Sequence, residues 1–259
     1  MYKKLLKIGD HTVAVTSHST TVINMFNSNF LSINSSIKED LSILINDNYG
    51  VPFVDYNVVI TKSQDSISYK RKDYFITVDC NYTNATILVH NELALKHALM
   101  NLYSSFIVHH NWGLLLHSSC VIDKGMAHIF SGHSGAGKST AATLSQPRAL
   151  LSDEATIIKI TTHTVTVFDS PFRSELNAKC LSKPYKLDTI HLLNQSLSNS
   201  RERLTRGNSL LHLMDKVFYW TESSTETRKI FKLLHLLVNQ VPVYNLYFQK
   251  NNTFWEMIS

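Results

Sequence analysis

The chain supplies none of the material from which membrane-spanning or disulfide-built proteins are made. No apolar stretch among its 259 residues approaches the ~18 that a transmembrane helix needs, so no membrane span is expected. Cysteine is scarce: Cys80, Cys120 and Cys180 are odd in number, widely spaced and without a C-x-x-C pair. That excludes a disulfide framework and a thiolate zinc site, and it fits a reducing compartment. The N-terminal run from Met1 to Asp10 is basic but has no continuous apolar segment, so it is not a secretory signal, and the expected location is cytoplasmic. Without secretion, triplets such as Asn81-Tyr82-Thr83 carry no meaning as glycosylation sites.

Dense Lys/Arg blocks are missing too, so no nucleic-acid partner is expected. The formal net charge of +5 is mild and favours anionic ligands only in a general way. The histidines, His109, His110, His128 and His133 among them, show no H-E-x-x-H or comparable spacing, and no zinc site follows from them. There is neither an internal repeat nor a low-complexity segment. With 44% hydrophobic and 17% charged residues, what remains is an ordinary globule, long enough for one large domain or a core with a smaller appended domain.

Short β-branched or aromatic runs fill the first 90 residues, at Thr12 to Thr16, Tyr56 to Thr61, Ser66 to Tyr69, Tyr74 to Cys80 and Ala85 to Val89, and predict strands. Helices are the expectation for residues 17–48. From Asn91 the period changes: Asn91 caps, Glu92 sits in the first turn, and Leu95, Leu99, Leu102 and Phe106 recur at helical steps. That helix is expected to pack an apolar face on the core and lead into the functional site. Gly113 to Ile122 and Met126 to Ser131, joined by Asp123-Lys124-Gly125, predict a hairpin. Further strands are expected at Ala149 to Ile160, Thr164 to Phe168 and Val243 to Gln249, and helices at Ser209 to Trp220 and Glu226 to Asn239. Residues 176–206 are polar and basic and read as loops with short helices.

One octapeptide carries specific chemistry. Gly132-His133-Ser134-Gly135-Ala136-Gly137-Lys138-Ser139 fits G-x-x-x-x-G-K-[ST] at every fixed position, between an apolar run and a helix-like stretch that begins Ser139-Thr140. Gly132, Gly135 and Gly137 let the backbone turn its N–H groups toward phosphate oxygens, and His133 contributes its own N–H there. Lys138 would neutralise the β- and γ-phosphates and the Ser139 hydroxyl would hold magnesium. A nucleoside triphosphate, ATP with Mg²⁺, is the expected ligand.

Asp153-Glu154 closes the apolar run Ala149-Leu150-Leu151 only 15 residues after Lys138. Magnesium takes hard oxygen ligands, and an attacking hydroxyl needs a carboxylate to accept its proton. A strand directly after the helix can bring this pair to the phosphates, though successive side chains face opposite ways, so only one need point inward. His117, inside Leu114-Leu115-Leu116-His117, reads on its own as a core histidine. Arg173 and Glu175 beside Pro171 can place an arginine on phosphate and a glutamate on metal, or be exposed loop charges. Arg201, Arg203 and Arg206 could clamp a triphosphate or lie on a solvated loop.

Taken together, Leu114 to Ser119, Gly132 to Thr140 and Leu150 to Glu154 resemble the catalytic core of the HPr serine kinase/phosphorylase family. The closest resemblance is to its shorter relatives in peptide biosynthesis, including kinases of lasso-peptide precursors. The ending Val241-Pro242-Val243-Tyr244-Asn245-Leu246-Tyr247 is similar to the last strand of those relatives, and the likeness covers about residues 95–250. It implies an α/β (α+β) fold: a P-loop core of the HPr kinase/PEP carboxykinase-like type over 91–259, and a β-rich region, 1–90, for substrate docking. It places His117 near the phosphates, Lys138 on phosphate, Ser139 and Asp153 on magnesium, and Asp153 or Glu154 as base. The family has Asp-Asp where this chain has Asp153-Glu154. Its Glu-Ile-Arg-Gly signature is absent, with Ser170 to Glu175 in a comparable place, so Glu175 is the candidate further metal ligand and phosphorolysis is not expected.

The resulting expectation is a serine kinase that moves the γ-phosphoryl of ATP to a peptide or small protein, of which a ribosomal precursor peptide is the first candidate and HPr the alternative. Since members of the family are often oligomeric, the resemblance also implies a homo-oligomer. A transport ATPase is disfavoured by the short spacing to the acidic pair and by the lack of L-S-G-G-Q. A nucleotide sensor that binds without transfer is the remaining alternative.

Overall fold

Alternation of apolar and polar residues makes the N-terminal third a sheet. The computed structural model describes residues 1–34, 37–174, 183–220 and 223–258. Within them the chain is a mixed α/β protein rich in strand. It divides into two units, Met1–His110 with Tyr219–Glu226, and Asn111–Phe218 with Thr227–Ser259.

The first unit holds β1 (Tyr2–Ile8), β2 (His11–Ser17), α1 (Thr20–Asn24), β3 (Leu31–Ser32), β4 (Leu41–Asn46), β5 (Val59–Lys62), β6 (Ser66–Lys70), β7 (Tyr74–Asp79), β8 (Asn84–Val89) and α2 (Glu92–His109). Its strands form one sheet in the order β3-β1-β2-β4-β8-β7-β6-β5. Two elements depart from the sequence reading. Lys3, Lys4 and Lys7 hide the alternation of β1, which pairs along its whole length with β2. The described residues of 17–48 hold one five-residue helix, the two-residue strand β3 and then β4, whose Leu41, Ile43 and Ile45 are buried in strict alternation. Helical α2 begins as expected: the Asn91 side chain accepts the Ala94 N–H at 3.0 Å. It packs on β7 and β8. From Ala98 to Val108 every residue is buried, so it is covered on all sides rather than along one stripe. The division between the units accordingly falls after α2, at 110/111, where the sequence reading divides the chain at 90/91.

The second unit contains β9 (Gly113–Asp123), β10 (Met126–Ser131), α3 (Lys138–Leu144), β11 (Ala149–Ser152), β12 (Ala155–Ile160), β13 (Val165–Phe168), β14 (Tyr185–Gln195), β15 (Ser200–Arg203), α4 (Arg206–Met214) and β16 (Val243–Phe248). A closing 3₁₀ turn spans Asn252–Met257, and α5 (Ser224–Gln240) begins in the first unit and continues into the second. The β9–β10 hairpin turns at Lys124 and Gly125, both at positive φ, as a two-residue primed turn requires.

Long β9 pairs with β12 through residues 113–117 and with β10 and β11 through residues 118–123. Because β10 also pairs in parallel with β14, the ladder β9-β12-β13-β14-β10 closes on itself. Parallel β16 and then β15 extend it beyond β14. Over its described residues, 183–206, this corrects the reading of 176–206 as loops with short helices; 176–182 lie outside the described residues. Residues Leu187 to Leu193 of β14 are buried except Asp188, but Thr189 and His191 in the middle give the run a polar composition. Thr189 and His191 bond to one another there at 2.9 Å.

Candidate functional site

The octapeptide leaves the end of β10 and enters α3, so the sequence order strand, glycine loop, helix is realised in space. Gly137 ends the loop in the left-handed region at φ 105°, and Gly135 is also left-handed at φ 79°. Gly132 is closed in: an added Cβ would lie 2.7 Å from Ala136 Cβ. His133, Ser134, Gly135 and Ser139 are exposed, Gly137 and Thr140 half-buried, and Ala136 buried. Beneath them, Ala136, Ala141, Phe130, Leu246, Phe248 and Trp255 pack in one apolar cluster. The closing turn pins the far end of α3: Trp255 Nε1 donates to Ser145 Oγ at 3.0 Å, and the Arg148 guanidinium lies over the Trp255 ring at 3.8 Å.

Lys138 is buried, with 9% exposure, and its ammonium donates to the carbonyls of Gly132 at 3.2 Å and His133 at 3.1 Å. Its charge is thus held against the loop's own backbone, and among the described residues it has no carboxylate partner. Burial, and then the positive charge of Lys216, lowers its pKa. The Ser119 hydroxyl of β9 accepts nothing from this side chain but donates to the Lys138 carbonyl at 3.0 Å, tying α3 to β9.

Lys216 gives no sequence signal: it lies inside the stretch read as helix, but α4 ends at Met214. Residues 216–218 instead run beside β9 where β10 has ended. His117 N donates to the Lys216 carbonyl at 2.7 Å and Phe218 N to the Leu115 carbonyl at 2.8 Å. His117 is half-buried, with the Phe218 ring 5.5 Å away. Burial, then the charges of Lys138 and Lys216, lowers its pKa from 6.5 to about 4, so the ring is neutral near pH 7. His117, Lys138 and Lys216 therefore share one electrostatic neighbourhood.

Across β9 lies the acidic pair. Ser131 at the end of β10 is opposite Ser118, and Ser118 N donates to the Glu154 carbonyl at 3.1 Å. Adjacent strands are about 4.8 Å apart, so the pair lies at the level of the loop's start, about 10 Å away across β9. Asp153 and Glu154 form the break between β11 and β12; the register on β9 is the same on either side, Ser152↔Cys120 and Ala155↔His117, and its shift lies earlier, between Leu150 and Ser152. Below the break Thr156 Oγ1 meets the hydroxyls of Ser118 at 2.7 Å and Ser152 at 2.5 Å. Asp153 is 2% exposed, and its carboxylate accepts the Ser174 hydroxyl at 2.9 Å and the Ser174 N–H at 3.1 Å. Glu154 is half-buried.

The remaining candidates scatter. Arg173 is ion-paired with Asp169. Glu175 lies outside the described residues, as does Cys180; Cys80 and Cys120 are unpaired thiols. Arg201 is held over the Tyr244 ring at 3.6 Å and donates to the Met257 carbonyl at 2.9 Å, while Arg203 and Arg206 are exposed. Gln195 was not singled out by sequence, yet its amide donates to the Gly135 carbonyl at 2.8 Å and holds the loop's crest. No helix among the described residues is long and apolar enough to cross a membrane.

Fold and site together define a mixed α/β protein with a lysine-bearing glycine loop at the carboxyl ends of parallel strands. The chain belongs to the family described as SynChlorMet cassette protein ScmC, which it matches over residues 78–259. Among curated proteins none matches it.

Proposed function

We propose that the chain is a magnesium-dependent kinase that transfers the γ-phosphoryl group of ATP to a serine hydroxyl of a peptide or small protein. The observation that carries the reading is Lys138: a buried ammonium aimed into its own glycine loop, in the field of a second lysine and without a carboxylate partner among the described residues. An anion seated in that loop relieves the Lys138 charge, Lys216 being already paired with Asp215 at 2.6 Å, and a polyphosphate meets the loop's N–H groups as well. Support for transfer comes from Asp153 and Glu154, whose backbone runs about two strand spacings from the loop's start.

For the cation that accompanies such a substrate, exposed Ser139 offers a hard oxygen in the loop and the acidic pair across β9 offers carboxylates, the ligand type magnesium prefers. Bound there, magnesium would supply further neutralisation of phosphate charge. The serine oxygen forms a bond to Pγ as the bond from Pγ to the β-phosphate oxygen breaks. The serine proton passes to Asp153 or Glu154, and ADP leaves. Lys138 and the loop stabilise the charge spread over the transferred group, and Ser174 fixes the Asp153 carboxylate. The resemblance to HPr-kinase-like peptide kinases names the acceptor class, a ribosomal precursor peptide first and HPr second.

The test is incubation with γ-labelled ATP and magnesium against a panel of serine-containing peptides and HPr. Label on a serine, absent with Lys138→Ala, is the expected result. Steady ATP hydrolysis with no labelled acceptor would replace the kinase by an ATPase, and binding without turnover would replace it by a sensor.

A further inference from the structure

Parallel β10, β14 and β16 end side by side, with Ser131 opposite Leu192 and Gln195 opposite Phe248. Beyond their carboxyl ends lies a cleft of about 540 Å³, bordered by Gly137 and Thr140 and walled by Gln195, Leu197, Phe248 and Asn251. The crevice outside the carboxyl ends of parallel strands is a common seat for ligands, and the volume falls within the small-molecule range.

Strand order gives the cleft a direction. Reading across the sheet, β11 is followed by β9, β10, β14 and β16. The glycine loop rises from β10. The acidic pair flanks it on the β9–β11 side and the cleft on the β14–β16 side. A lysine in such a loop takes the β- and γ-phosphates, so the reacting end belongs on the carboxylate side. Whatever hangs from the α-phosphate must leave on the other side, past Gly137 and Thr140.

Resting on the nucleotide reading above, we propose that this cleft holds the nucleoside of the bound nucleotide, with Leu197 closing over the base. Leu197 is 95% exposed, an apolar side chain standing in solvent at the rim. It is not on a loose tail, for the Gln249 amide donates to its carbonyl and ties the loop to the end of β16. Neighbouring amides are also fixed, Gln195 on the Gly135 carbonyl and Asn251 on Gln249 Oε1 at 3.0 Å. Buried Phe248 forms the floor. The cleft thus joins an exposed apolar side chain at its rim to positioned amides, the combination that a flat heteroaromatic base with polar edges requires.

Calorimetric titration of the full chain with a non-hydrolysable ATP analogue and with inorganic tripolyphosphate, both with magnesium, tests this. Leu197→Ser should weaken the ATP analogue about five- to tenfold, the loss expected from partial burial of one leucine. Ser196→Trp, which fills the cleft without changing charge, should weaken it more. Tripolyphosphate should bind both variants as it binds the unaltered chain, which also reports an intact loop. An unchanged affinity for the ATP analogue in both variants, or an equal fall for tripolyphosphate, would overturn the assignment. Equal affinity of the unaltered chain for the two ligands would do the same. Binding of neither ligand would remove the nucleotide reading itself, and this inference with it.

Discussion

Gly137 and Phe248 are locked together: a Cβ added to the glycine would lie 2.8 Å from the Phe248 ring carbon Cζ, and the glycine's φ of 105° suits no other residue. The last residue of β16 therefore sets how closely the backbone can pass at the entrance to α3. Gly137→Ala should destabilise the chain by about 2 kcal/mol through strain and overlap, and it should abolish nucleotide binding. Thermal denaturation paired with nucleotide titration checks this; a variant with unchanged melting temperature would show that the loop has room to spare.

Lys138 and Lys216 separate by readout. Lys138→Met should remove phosphoryl transfer while leaving melting temperature unchanged or higher, since it exchanges a buried charge for an apolar chain of similar length. Lys216→Met should weaken nucleotide binding about tenfold, the worth of one charge-assisted contact. Transfer rates and binding titrations on the two variants, with circular dichroism as the control, decide the point. Full activity in Lys138→Met would dismiss the loop as the working site.

Ser174 is exposed while Asp153, which it holds, is buried. Ser174→Ala should therefore leave folding alone but let the carboxylate drift, slowing transfer about tenfold or more with little change in nucleotide affinity. Single-turnover rates read this directly. Equal rates in variant and unaltered chain would mean that Asp153 takes no part in the chemistry.

Histidine burial predicts a pH dependence of stability. His11, His97 and His117 each have their pKa lowered from 6.5 to about 4, in every case chiefly by burial. Between these two values the unfolded chain binds more protons than the folded one, so stability rises with pH from about 4 to about 6.5 and is constant above that on their account. Melting temperature should fall as pH drops from 7 toward 4.5. His117→Asn should make the fall shallower, and an unchanged slope would mean that His117 titrates normally when folded.

Local chemistry was legible where it is strictly local. The octapeptide, the Asn91 cap and the Lys124-Gly125 turn all depend on neighbours in sequence, and all lie where the pattern put them, whereas the single strand expected over Ala149 to Ile160 is two, β11 and β12, with the acidic pair in the break between them. What was hidden depends on partners far along the chain. Thr189 and His191 are interior because each finds a hydrogen bond inside the sheet, which no window of β14 can reveal. Charged β1 is a strand because β2 lies beside it. Lys216 joins the glycine loop only because the chain returns alongside β9 a hundred residues later, and Gln195 joins it because β14 ends next to β10. Glycine loops advertise themselves; the side chains that brace them do not.

The division of the chain has a practical corollary. The backbone passes from one unit to the other at 110/111, at 218/219 and again at 226/227, so Tyr219–Glu226 belongs with a body whose main part ended over a hundred residues earlier. Within it the Glu226 carboxylate lies 3.6 Å from His109 Nδ1. Cutting the gene after codon 110 would yield an N-terminal fragment missing a piece of itself and a C-terminal fragment carrying an orphaned octapeptide. Anyone wishing to express either half alone must splice rather than truncate.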